Sequence, residues 1–121
     1  MGRQVFALAG AFVIVFACVW MGLSERLGAH PFWAVKIGWL GGAAGAGLAL
    51  VLILVRVPPR WRLALGAVGT VAALAAAKIG AARFAASYAE DALAGRFWFI
   101  GWICVAAALV VMLQALLGWR R

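Results

Sequence analysis

Charge is scarce in this chain, and negative charge most of all. Its 121 residues hold three acids, Glu25, Glu90 and Asp91, against eleven Lys and Arg. Only 12% of the residues are charged and 69% are hydrophobic, whereas soluble domains run near 25% and 45–50%. A soluble fold of this length needs a polar surface that the sequence does not supply. That excludes a soluble enzyme, a disordered tail and a disulfide scaffold, and leaves one small integral membrane domain covering residues 1–121.

Other shortages narrow the chemistry. There is one histidine, His30, too few for heme or zinc ligation within one chain; beside Pro31 it reads as an interfacial polar residue. The two cysteines, Cys18 and Cys104, form no C-x-x-C motif, which disfavours thiol redox chemistry. They fall at similar depth and meet if the first and last helices are neighbours. Glu90 and Asp91 are adjacent, so on a helix their side chains diverge and paired acid/base work is not expected. No carboxylate falls in mid-membrane. Where small multidrug transporters carry an embedded Glu, this chain has Val13, Ile14 and Val15. No catalytic set, cofactor site or metal site is expected, and an enzyme is disfavoured.

Long apolar runs are what the chain has instead. They cover about residues 5–23, 37–55, 63–81 and 97–118. Nineteen helical residues span ~28 Å, close to the ~30 Å of a bilayer core. Helices are required, because a lipid-exposed backbone must satisfy its own hydrogen bonds. The expected fold is all-α, a four-helix transmembrane bundle with short loops. Pro31 suits the first turn of the second helix, Pro58-Pro59 separate the second and third, and Gly95 suits a helix C-cap.

The basic residues mark run ends. Arg3, Arg56, Arg60, Arg62, Arg120 and Arg121 share one side. The other side has Arg26, Lys36, Lys78, Arg83 and Arg96 with all three acids. The clustered arginines of the second loop put both termini in the cytoplasm, in the plasma membrane (the inner membrane of a bacterium). The partner of this positive charge is the lipid bilayer, not nucleic acid. Trp20, Trp33, Trp39, Trp98 and Trp102 fall near the outer ends of the runs, and Trp61 and Trp119 near the inner ends, as an indole favours the headgroup level. The functional alternative is an aromatic box of Trp98, Phe99 and Trp102.

Small residues recur along two runs. The second carries Gly38, Gly41, Gly42 and Gly45; the third carries Gly69, Ala73 and Ala77, then Ala81 and Ala85, with Ala72, Ala76 and Gly80 beside them. Membrane helices associate through such close-packing faces. The second and third helices are therefore expected to pack on each other, with a seam between two copies as the alternative. After Ala81, Arg83, Ser87, Glu90 and Ala94 share a helical face. This predicts a short amphipathic helix on the outer surface, or protrusion of the third helix.

Three further polar residues mark candidate functional positions. Lys78 lies just inside the outer end of the third run, placed to snorkel or, alternatively, to line a cavity or pair with Glu25, Glu90 or Asp91. Gln114 suits an interhelical hydrogen bond. The expected function is a non-enzymatic accessory or assembly subunit of a larger membrane complex, with other membrane subunits or further copies as partners. The alternatives are a small oligomeric transporter or channel, lined by Lys78, Gln114, Thr70 and the glycines of the second run, and a holin-like permeabilising protein.

Overall fold

A computed structural model describes residues 2–30 and 34–119, apart from the side chains of Glu25 and Ala34. The expectations placed on Pro31, Trp33, Arg120, Arg121 and the Glu25 carboxylate lie outside the described residues. The elements are α1 (Gly2–Trp20), α2 (Leu23–Arg26), α3 (Ala34–Leu54), α4 (Pro59–Ala86) and α5 (Ala92–Leu117). No strand occurs among the described residues. Apart from the single turn α2, the four helices are long and apolar enough to cross a membrane.

Helix ends differ from the apolar runs where side chains and turns decide them. The third run predicts 63–81, yet α4 extends from Pro59 to Ala86, ~42 Å of helix. Its start is set by Pro58 and Pro59, since a proline at the first helical position loses no hydrogen bond. α3 ends at Leu54, and Arg56 takes a left-handed φ of 63°. Val57 N–H then donates to Leu52 O, and Arg56 N–H to Ile53 O, each at 3.0 Å, closing the last turn in the Schellman manner.

The expected amphipathic helix is absent as a separate element. Arg83 belongs to α4, and the chain turns through Tyr88 and Ala89, both at positive φ. The Ser87 hydroxyl donates to Phe84 O at 2.9 Å and accepts from Asp91 N–H at 2.9 Å. Asp91 in turn caps α5 by accepting from Ala94 N–H at 3.0 Å. These local bonds to the backbone compete with helix continuation, which is why the chain breaks here. Gly95 lies inside α5 and caps nothing; a methyl group there would come within 3.3 Å of the Phe84 ring.

Packing is organised around α5. Helices α1, α3 and α5 pack pairwise, while α4 packs on α5. The expected association of the second and third runs, now α3 and α4, is not observed as an extended contact. Gly41 and Gly45 of α3 and the small residues of α4 turn to α5 instead. A methyl on Gly41 would lie 2.5 Å from the Ala106 methyl, and one on Gly45 would lie 2.5 Å from Ala107 O. From the other side, Ala77 is fully buried and lies against Gly101, and Gly66 lies against the Met112 backbone. Gly38 and Gly42 face the α1 side chains Val19, Phe16 and Phe12. Gly69 lies near Ala108, and Ala73 packs against the cluster of Val19, Ile37, Ala77 and Trp102. The last helix presents small residues on two faces, so it is the one that two neighbours approach closely.

Candidate functional site: an apolar cleft between two polar ends

The end of the bundle that carries both termini is tied by a polar network. Arg62 is 4% exposed and Gln114 fully buried. The Arg62 guanidinium donates from Nη1 to Gln114 Oε1 at 2.5 Å and from Nε to Val57 O at 3.1 Å. Gln114 Nε2 donates to Gln4 Oε1 at 2.8 Å, and Gln4 Nε2 donates to Gly118 O at 2.8 Å. Arg3 adds a bond to Trp119 O at 2.8 Å. The three acids all fall at the other end of the chain's helices, so the buried cation is met by amide and backbone carbonyl oxygens. A buried charge needs such hydrogen bonds because its water has been removed.

Sequence reasoning placed Arg62 with Arg56 and Arg60 as an orientation signal and missed its burial. The signal was available: Arg62 stands four residues before Gly66, on the face whose small residues meet α5. Gln114 does form interhelical bonds, to residues of α1 and α4.

The opposite end is held by a cation and an indole. Lys78 Nζ donates to Leu27 O, and Trp98 Nε1 donates to Gly28 O at 2.9 Å. Lys78 is exposed and reaches the connection between α2 and α3. His30 is exposed, with its ring edge-on to Trp98 at 5.4 Å between centroids. Phe84 packs on the same indole at 5.8 Å. Glu90 is exposed, and Asp91 serves as the cap of α5. Arg83 and Asp91 line a surface groove between α4 and α5. Trp102, expected at the headgroup level, is instead 3% exposed in the core. It stands four residues from Trp98 on the same face of α5, and Trp98 and Phe99 both pack against the cluster that contains Trp102. Both cysteines are free, Cys18 half-buried and Cys104 exposed.

Between the two polar ends lies a cleft of about 280 Å³. Its walls come from α1 (Ile14, Cys18), α4 (Thr70, Leu74) and α5 (Trp102, Leu109), with α2 over one end. The cleft exists because α1 and α4 both lean on α5 without an extended contact between them. Its accessible wall is almost wholly carbon. Two polar atoms of residues that border it, Ser24 Oγ and Trp102 Nε1, are sealed beneath its carbon surface and have no hydrogen-bond partner among the described residues. Such orphan groups are uncommon in native folds and require an explanation.

No group of three or more metal-ligating side chains occurs among the described residues. Comparison of the chain with protein-family models, curated proteins and solved structures finds no match. The reading of function therefore rests on this chain's own residues.

Proposed function

We propose that the chain is a non-enzymatic integral membrane protein that acts by lateral association, as an accessory or assembly subunit of a larger complex in the plasma membrane, with both termini cytoplasmic. The observation that carries this reading is the position of α4. It packs on α5, and the stripe Leu65, Val68, Ala72, Ala75 and Ile79 on its other side is exposed. That stripe follows helical spacing and has two small residues at its centre, the composition that lets another helix backbone approach.

The transporter alternative draws less support. Its lining groups are engaged within the fold: Gln114 with Arg62 and Gln4, Lys78 with Leu27 O, and the Thr70 hydroxyl with Gly66 O at 2.7 Å. The glycines of α3 face α1 and α5.

A photo-crosslinking residue placed at Val68 tests the proposal in native membranes. It is expected to give a discrete adduct with a different membrane polypeptide, and the same residue at Leu50 on α3 is expected to give none. Ion or solute flux through vesicles holding only the purified chain would instead establish the transporter reading.

A further inference from the structure

We propose that the groove between the end of α4 and the start of α5 binds a zwitterionic phospholipid whose head carries a primary ammonium, with Arg83 on the phosphate and Asp91 on the ammonium. This rests on the membrane insertion proposed above, and it does not depend on a protein partner.

Backbone contact forms the groove. Gly80 and Ala94 are the buried residues of its lining. A methyl on Gly80 would lie 2.7 Å from Ala94 O, so the two helices meet there with no side chain between them. Ile79 stands on one bank, and Leu93 and Phe97 stand on the other. All three are more than half exposed. Within a membrane such carbon banks meet acyl chains, which are as apolar as they are. Arg83 lies just past the third apolar run, and Asp91 caps the start of α5. Both therefore stand where the chain leaves the apolar spans, at the level of lipid heads.

Charge selects the head. Arg83 and Asp91 are both exposed and both line this groove, yet no ion pair or hydrogen bond joins their side chains. The Arg83 guanidinium has no partner among the described residues, and Asp91 commits only Oδ1, to Ala94 N–H. The neighbouring charges Glu90 and Arg96 do not line the groove, so neither cancels the pair. Two open charges of opposite sign beside carbon banks match a lipid head that carries both signs. A guanidinium meets a phosphate through its fork of N–H donors. A carboxylate only accepts, so Asp91 Oδ2 suits an ammonium with N–H groups to donate. A choline head has no N–H to give. A glycerol head brings the phosphate charge toward Asp91 with no cation to offset it.

The test uses the full chain, extracted from carbonate-washed membranes and placed in nanodiscs that hold equal dioleoyl phosphatidylethanolamine, phosphatidylcholine and phosphatidylglycerol. Native mass spectrometry after release into mild detergent counts the lipids that stay on the chain. The ethanolamine lipid is expected about fivefold over each of the others, the size of one exposed charge pair or one net hydrogen bond. Asp91→Asn keeps the cap of α5 and is expected to hold lipid with no preference for the head. Arg83→Gln is expected to lower retention of all three lipids, about fivefold. Thermal melting should be unchanged in both. The wild-type preference remains a test by itself if a variant does not fold. Equal retention of the three lipids, a preference for phosphatidylglycerol, an ethanolamine preference that survives Asp91→Asn, or full retention in Arg83→Gln would overturn the inference. So would a polypeptide adduct, in place of a lipid adduct, from a photo-crosslinking residue at Leu93. A chain missing from the washed membranes would overturn membrane insertion and this inference together. Absence of a protein adduct at Val68 would overturn the accessory-subunit reading and leave the lipid preference standing.

Discussion

Arg62 and Gln114, fifty-two positions apart in the chain, share a buried hydrogen bond of 2.5 Å that joins the start of α4 to the end of α5. Gln114 also reaches Gln4 of α1, so one amide links three helices. Removing it leaves the Arg62 charge short of an acceptor. Gln114→Leu is expected to destabilise the fold by about 1.5–3 kcal/mol, the range for a hydrogen bond to a charged group. Arg62→Leu in the Gln114→Leu background should recover part of that loss, because the stranded charge is gone. Denaturation in detergent micelles measures both; strictly additive effects would show that the two side chains are not coupled.

The close approach of α3 to α5 gives a position-specific prediction. Gly45→Leu should lower stability by about 1–3 kcal/mol through overpacking, since a side chain there meets the Ala107 backbone. Gly47 has open space around it, so Gly47→Leu should melt within ~0.5 kcal/mol of wild type. Similar melting curves for the two variants would mean that α3 is not seated on α5 through its glycine face.

Lys78 supplies a local test. With its ammonium on Leu27 O, Lys78→Met should loosen residues 27–30 and leave the helix pairings intact. Amide exchange in that connection should rise, with a global loss of about 1 kcal/mol. Loss of association with a partner in a variant of normal fold and abundance would instead make Lys78 part of an interaction or transport path.

The proposed topology, with both termini inside, draws on four long apolar helices and on the arginines at Arg3, Arg56, Arg60 and Arg62. A reporter fused after Arg121 should be active on the cytoplasmic side, and one inserted in the turn between Ser87 and Glu90 on the other. A C-terminal reporter found outside the cytoplasm would sink the arrangement with both termini inside.

Capping of α5 gives the last prediction. Asp91→Ala removes the acceptor for Ala94 N–H and should cost about 1 kcal/mol, while Asp91→Asn should retain most of it. The comparison is made by thermal melting at neutral pH.

The sequence by itself determined the four helices. Length, hydropathy and the need to satisfy every backbone group in an apolar solvent permit little else. It also located the turn at Pro58-Pro59, because proline acts locally. It marked Gly41, Gly45 and Ala77 as small residues on helix faces, but not which helix each would meet. α3 and α4 are nearly as apolar on one side as on the other. When lipid and protein interior are equally apolar, hydropathy leaves no record of which face is buried. Only the tertiary structure decided that α3 and α4 both turn to α5, that Trp102 points inward, and that Arg62 is buried against Gln114. The same arrangement leaves a cleft between α1 and α4, a property of helix positions that no residue spacing encodes.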